Sequence, residues 1–486
     1  MSVLPLVPAP LRAIARGGAP FALSASTVVV APPGAEDPAS RAAQALRAAS
    51  GLDVSVRVSP GADDDAGGSG LVVLTLGEDV PDGDEGYRLT ADEDGVRLTA
   101  RTVEGLHRAV ATLGQLLVSD GAASVPAVEV EDAPRYAWRG LSVDVARHFF
   151  PVEDLEALVD LIAGYKLNVL HVHLTDDQGW RIDLPSRPEL VARSSGTAVE
   201  GGQGGYYTAD DWARLVAHAG ARGVAVVPEI DVPGHVNAAL HAIPALNESG
   251  EAAQAYGGIE VGFSGLRTSL PETGPFLADV FRDTAAMTPG QYVHIGGDEA
   301  DEVAPDEYAR LVAAAAAEVR ASGKQVIGWQ EIASAPLEPG TVVQYWRELS
   351  DPAPVVAAGD AGARVLMSPA SRTYLDMKYD AAYPLGQDWA AVVELRDAYD
   401  WDPGAYLPGL DPAAVIGVEA AIWTETLSTR DELTQMLLPR LAAVAEVAWS
   451  PSTTDFDDFA DRVATHGRAW DRAGLAWYPS PQVDWA

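Results

Sequence analysis

The sequence holds 486 residues, 48% hydrophobic and 21% charged, proportions that exclude a largely disordered chain. Its 33 basic and 70 acidic side chains leave a net charge of −37, which makes nucleic acid and anionic membranes poor partners and leaves a neutral substrate unaffected. There is no cysteine, and hence no disulfide, thiolate nucleophile or Cys-ligated metal.

The chain opens on MSVLPLVPAPLRAIARGG, where Pro5, Pro8 and Pro10 interrupt any apolar stretch. It is a poor signal peptide, and no later run approaches the length of a membrane span. The expected location is the cytoplasm, or outside the cell if a leader has been removed.

Residues 1–132 read as a small α+β domain. Short β-type runs at Thr27–Val30, Val54–Val58, Leu71–Leu76, Tyr87–Leu89 and Val96–Ala100 are separated by Gly- and Asp-rich turns. Helical patterns cover Ala39–Ser50 and Glu104–Val118, the second with Leu106, Val110, Leu113 and Leu117 on one face. The Asp run at 63–65 lacks the ligand spacing of a calcium loop and reads as a solvated hairpin turn.

EDAPRYAWRG (131–140) marks a boundary, and 133–486 alternates short strands with amphipathic helices. The strand candidates are Leu141–Asp144, Val169–Leu174, Val224–Ile230, Tyr292–Ile295, Val326–Trp329, Val342–Trp346, Val365–Ser368 and Ile416–Ala420. Helices are expected at Val152–Lys166, Ala209–Arg222, Gly274–Met287, Asp306–Ser322, Pro352–Ala361 and, as one last helix, Arg430–Ala448. Eight such units fit a closed (β/α)8 TIM barrel; a doubly wound sheet is the alternative, but no strand runs into a GxGxxG turn.

Barrels of this kind carry their chemistry at the C-terminal strand ends. Those ends read VARHFF, HLTDDQGW, PEIDVPGH, HIGGDE, GWQE, QYW, SPASRTYLDMKY and EAAIWTE. Carboxylates and tryptophans recur together, a pairing suited to a sugar: Trp covers the apolar ring face and carboxylates take the hydroxyls.

Asp298 and Glu299 are the central pair. Adjacent strand residues point to opposite faces, but Gly296 and Gly297 let the backbone bend so that both can turn inward. Neighbours in sequence are badly placed to flank an anomeric carbon from its two sides, as a retaining acid and nucleophile about 5–5.5 Å apart must. If Glu299 is the acid, Asp298 is a poor direct nucleophile and another group must attack.

RGLSVDVARHFF, HVHLTDDQGWR, PEIDVPGH, HIGGDE, GWQE, RTYLDMKY and AAIWTETL, in that order, resemble the signatures of family 20 glycoside hydrolases, the β-N-acetylhexosaminidases. The likeness runs from about Trp138 to the C-terminus; the first 132 residues resemble that family's non-catalytic N-terminal domain more weakly. The resemblance implies exo-acting release of terminal N-acetylglucosamine or N-acetylgalactosamine with retention, without a cofactor. The attacking group is then the substrate's own acetamido oxygen, by way of an oxazolinium ion. Carried over residue by residue, Glu299 is the general acid and then the base, and Asp298 holds the acetamido N–H. Tyr374 donates to the acetamido oxygen, and Asp176 and His235 form a relay behind the acid. Trp329, Trp346 and Trp423 wall the sugar pocket, with Trp389 as a platform at the rim. Arg147, Asp376 and Glu425 bind hydroxyls. Ordinary structural alternatives remain for these residues: core packing for the tryptophans, Tyr374 and His235, and ion pairs for Arg147, Asp376 and Glu425.

Two rival readings stay open. The HxH pair His171 and His173, both on one face of a strand, suits a metal-dependent amidohydrolase. No histidine lies between the fifth and eighth strands to complete such a site, so His171 is expected to be core packing and no metal is expected. The other rival is a carbohydrate-binding barrel without activity, which has no need of the acid Glu299.

Overall fold

A computed structural model describes residues 4–60, 70–118, 123–451 and 455–485; the Asp run at 63–65 lies outside them. The N-terminal domain contains β1 (Arg12–Ala15), β2 (Phe21–Ala22), β3 (Val28–Ala31), α1 (Glu36–Ser50), β4 (Ser55–Val58), β5 (Leu71–Leu76), β6 (Tyr87–Ala91), β7 (Gly95–Ala100), α2 (Val103–Val118), β8 (Ser124–Val125) and β9 (Val128–Asp132). Seven strands form one sheet in the order β1-β9-β6-β7-β5-β3-β4, and β2 pairs with β8 alone. Val29, Val72, Leu74 and Leu98 share one core with Leu46 of α1 and with Leu106 and Leu113 of α2. Four strands, β1, β2, β8 and β9, are additions to those expected from the sequence. All four residues of β1 are exposed, so RAIA carries no alternation to read.

The second part is a closed parallel barrel of β10 (Trp138–Asp144), β11 (Val169–His173), β12 (Ala225–Glu229), β13 (Tyr292–His294), β14 (Gln325–Trp329), β15 (Val342–Tyr345), β16 (Arg364–Met367) and β17 (Val415–Ile422). Each expected strand overlaps one of these. Side chains two apart on a strand share a face, which layers the interior. Trp138, Val169, Val227, Ile327, Val342 and Leu366 form an apolar layer near the N-terminal end. Two residues further on, His171, Glu229, Trp329 and Gln344 follow, all buried. The barrel core thus turns from apolar to polar and charged toward the end where chemistry is expected.

The two parts are bolted together at Asp132, the last residue of β9. Its Oδ1 accepts from Trp449 Nε1 at 2.9 Å and its Oδ2 from Lys166 Nζ at 2.8 Å. Trp449 belongs to the N-terminal core although it ends a barrel helix.

The last expected helix needs correction. Arg430–Ala448 is two helices, Arg430–Leu437 and Arg440–Trp449, broken before Pro439. Proline offers no N–H to the ladder and its ring collides with the preceding turn. Two more helices, Phe456–Val463 and Gly467–Ala473, follow. Among the described residues no helix is long and apolar enough to cross a membrane.

Candidate active site

At the C-terminal end of the barrel a cleft of about 180 Å³ is lined by Arg147, Asp298, Glu299, Trp346, Tyr374, Trp389, Trp423 and Glu425, with Ile259, Val261, Arg347 and Gln387 at its mouth. These residues come from loops after six of the eight strands. Larger cavities, of about 420 and 620 Å³, lie elsewhere: one among α1, α2 and the C-terminal helices, the other at the opposite end of the barrel. Neither gathers the strand-end carboxylates.

The backbone bends as the glycines suggest. Gly296 and Gly297 have φ of 69° and 108°, and Glu299 itself is at 45°. Positive φ is costly for a residue with a Cβ, so the surroundings must hold Glu299 there. A Cβ on Gly296 would stand 1.7 Å from Asp231 Oδ1. The missing side chain is thus what admits Asp231, whose Oδ1 accepts from Gly297 N at 3.0 Å.

Asp298 and Glu299 turn to the same side: His235 Nε2 is 3.6 Å from Asp298 Oδ2 and 3.6 Å from Glu299 Oε2. Behind it, His235 Nδ1 is 3.1 Å from Asp176 Oδ1. Burial opposes a charge on His235, but Asp176 and Asp298 outweigh it and hold its pKa well above the usual histidine range. Burial also works against ionised Glu299, yet His235, 3.6 Å away, and the charges of Arg147 and Arg347 keep its pKa below the ordinary value. The buried Asp231 is pushed well up by burial and by Asp298. Asp298 is raised as well, by burial and by the charges of Glu229 and Glu299, against the pull of His235. The two carboxyls, with oxygens within 4.8 Å of each other, repel, and both are held above the ordinary carboxylate range.

Arg147 is buried, with Nη1 2.9 Å from Asp176 Oδ2 and 3.5 Å from Asp144 Oδ2, and its guanidinium lies over Trp423 at 5.1 Å. Asp144, at the end of β10, also accepts from Ala146 N, Arg147 N, Thr424 N and Thr424 Oγ1, tying the first and last strand-end loops together. Tyr374 stacks on Trp346, centroids 6.1 Å apart and planes 5° apart. Burial and the Asp298 charge keep its phenol firmly protonated. Trp389 is 48% exposed and meets both rings edge-on at 5.9 Å.

Two expected pocket residues lie outside the cleft lining. Trp329 is buried beneath it, donating Nε1 to Glu229 Oε1 at 2.8 Å, with its ring 5.8 Å from Trp423. Asp376 is buried too; burial and the neighbouring Glu425 raise its pKa well above the carboxylate range. Arg147 Nε, Asp298 Oδ1, Glu425 Oε2 and both carboxylate oxygens of Asp376 are buried without a hydrogen-bond partner. Buried polar atoms are rarely left so, and those of Arg147, Asp298 and Glu425 line the cleft, which matches a ligand rich in hydroxyls.

His171 is packed in the barrel core against His294, and it is also ion-paired there. Its Nδ1 is 2.9 Å from Glu419 Oε1 and its Nε2 2.9 Å from Glu229 Oε2. Glu229 is a hub that also meets His173 Nδ1 at 2.8 Å and His294 Nδ1 at 3.1 Å, while His173 Nε2 reaches Asp176 Oδ2 at 2.8 Å. Sequence reasoning missed the roles of Glu229 and Asp231, although PEIDVPGH carried both; the signal was two acids, at 229 and 231, on one face at a strand end.

His171, Glu229 and His294 are close enough to suggest a metal, with ligand atoms within 4.8 Å. Their protonation divides them: burial keeps His294 below the usual histidine range, while the acids charge His171. Burial lowers His171, but Glu229 and Glu419 outweigh it and lift its pKa to about 9. Glu229 and Asp176 likewise raise His173 well above its usual value against the effect of burial. An imidazolium has no lone pair, so a metal at this trio would first have to displace the proton of His171.

Comparisons with known proteins agree with this geometry. The catalytic domain of glycosyl hydrolase family 20 matches residues 136–310 and 303–452, and domain 2 of the same family matches residues 3–133. A β-N-acetylhexosaminidase from Cellulomonas fimi is 59% identical over 99% of this chain and 97% of its own length. The structure resembles the N-acetyl-β-hexosaminidase of Streptomyces plicatus in complex with thio-NAglucal, with TM-score 0.93 and 42% identity over 99% of this chain and 98% of that one. A β-N-acetylhexosaminidase from Streptomyces coelicolor A3(2) gives the same TM-score, 0.93, and 42% identity over 100% and 99% of the two chains.

Proposed function

The chain belongs to glycosyl hydrolase family 20 and is a β-N-acetylhexosaminidase, and from that premise we propose that it removes terminal, non-reducing N-acetylglucosamine or N-acetylgalactosamine with retention, the substrate's acetamido oxygen acting as the nucleophile. The observation that carries this reading is the placement of Asp298 and Glu299 on one side, each 3.6 Å from a single nitrogen of His235. Two carboxylates gathered at one atom are poorly arranged to attack and to protonate from opposite faces of a ring.

Glu299 protonates the departing oxygen and later takes a proton from water. In the empty cleft it is ionised; a sugar seated over it removes its remaining water, which disfavours the anion and loads the proton where it is needed. Asp298 accepts from the acetamido N–H and, as a carboxylate, offsets the positive charge that builds up as the oxazolinium forms. Tyr374, kept protonated, donates to the acetamido oxygen and fixes its line of attack. Trp346 and Trp423 cover the ring. Arg147 and Glu425, with Asp376 just behind the cleft, offer their unpartnered atoms to hydroxyls.

The test is turnover of an aryl N-acetyl-β-glucosaminide beside the matching aryl β-glucoside. The first should be hydrolysed and the second should be nearly inert, because it lacks the attacking group. Comparable rates on both would overturn the mechanism.

A further inference from the structure

We propose that the leaving-group side of the cleft is built for a sugar bearing an anionic substituent, held by Arg347. The inference rests on the reading of Glu299 as the proton donor, since the group that receives its proton must lie against it.

Arg347 lines the mouth of the cleft beside Glu299, its Nη1 3.8 Å from Glu299 Oε1. That is beyond hydrogen-bond reach, and it is the one carboxylate within 4.0 Å of this guanidinium among the described residues. The chain has more than two acids for every base, so an arginine left without a close partner inside an acidic cleft calls for an explanation. The next acid along the chain does not supply one: Glu348 is bound to Ser371 Oγ and to Tyr406 Oη. Nor is Arg347 loosely placed. Its backbone N donates to Gln330 Oε1 at 2.8 Å, Gln330 Nε2 donates back to its carbonyl at 3.2 Å, and the guanidinium lies 5.6 Å from the centre of the Trp346 ring. Its side chain remains 47% exposed, presenting donors to the cleft.

The rest of the mouth suits a pyranose ring. Trp389, Ile259 and Val261 are 48%, 51% and 41% exposed, and all three line it. The loop that carries Ile259 and Val261 is tethered: Gln178 Nε2 donates to Gly258 O and Glu260 N to Tyr256 Oη, both at 2.9 Å. At Gly262, φ 79°, the loop presses on the segment after the acid so closely that a Cβ would meet Asp301 Oδ2 at 2.8 Å and Glu299 O at 3.4 Å. An apolar wall, an indole face and a guanidinium fork therefore surround the position of the leaving sugar. Carboxylate and sulfate both match the fork, which binds either through two parallel N–H donors.

The experiment compares kcat/KM for three disaccharides with the same terminal N-acetyl-β-glucosaminyl group. Their leaving sugars are glucose, glucuronate and glucose 6-sulfate. The wild type should favour at least one anionic leaving sugar over glucose by about tenfold. The preferred one identifies the substituent, and raised salt should erode the preference. In Arg347→Met the preference should vanish. Taking the ratio cancels whatever the substitution does to Glu299, since all three substrates need the same acid. Equal or lower kcat/KM for both anionic leaving sugars in the wild type overturns the inference, whatever the variant does, and so does a preference that persists in Arg347→Met. Failure of even the glucose disaccharide to turn over would instead strike the reading of Glu299 on which the inference stands.

Discussion

Asp176 Oδ1 lies 3.1 Å from His235 Nδ1, and that contact aims the other ring nitrogen at Glu299, 3.6 Å away. Removing the Asp176 charge weakens the hold on the His235 proton, and with it the main influence keeping Glu299 low. In Asp176→Asn the Glu299 pKa should therefore rise toward the ordinary carboxylate value. Because the acid works protonated, the alkaline limb of kcat/KM should move to higher pH while the maximum falls. A merely structural loss would lower the profile without shifting the limb, so the full pH profile of wild type and variant decides.

Glu299→Gln removes the proton that a poor leaving group needs and a good one does not. Turnover of a disaccharide should fall by about 10²–10⁴-fold, and that of a nitrophenyl glycoside by far less. Equal losses on the two substrates would count against Glu299 as the acid.

Much of this site was legible because its parts sit at strand ends, where short apolar runs make the register plain. All eight barrel strands and the bend at Gly296 and Gly297 could be read that way. What could not be read is partnership across the barrel. Nothing local in the chain says that His171 meets Glu419, 248 residues away, or that Trp329 is turned down onto Glu229 and lies below the cleft. Asp231 was equally hidden, because its value depends on the Cβ missing from Gly296, 65 positions on, and only the folded chain brings the two together.

The hub around Glu229 makes a prediction about stability. His171 has its pKa lifted to about 9, so its contribution is complete below the unfolded histidine value and is lost as pH rises toward and through about 9. Glu229 is held well below the carboxylate range: burial opposes its charge, but His294, His173 and His171 outweigh it, so its contribution is lost only as pH falls through that depressed value. The melting temperature of the wild type should accordingly decline from near neutrality toward alkaline pH. Glu229→Gln strands buried imidazoliums and should cost about 3–5 kcal/mol, with a flatter alkaline decline. Thermal unfolding of both proteins across that range is the measurement; an unchanged slope in the variant would mean that His171 is not charged in the fold.

Tyr374→Phe deletes one donor while leaving the ring stacked on Trp346. If the hydroxyl positions the acetamido oxygen for attack, kcat should fall by about 10²–10³-fold and ground-state binding much less. An unchanged kcat with a raised KM would make Tyr374 a plain binding residue.

The sharpest test concerns the attacking atom. If the acetamido oxygen is the nucleophile, its electron density sets the rate. Replacing the acetyl hydrogens stepwise with fluorine withdraws that density and changes size little, so turnover should fall steeply through the mono-, di- and trifluoroacetyl substrates. A carboxylate of the protein would show only a shallow dependence. Asp298→Asn adds a second reading. An amide can still meet the acetamido group but carries no charge to offset the developing cation, so the variant should lose kcat far more than affinity. A thiazoline that mimics the oxazolinium should also bind the variant more weakly, because its charge no longer has a counter-ion. A flat fluorine series, with a sugar ester trapped on Asp376 or Glu425, would transfer the attack to the protein and leave Asp298 with no acetamido cation to offset.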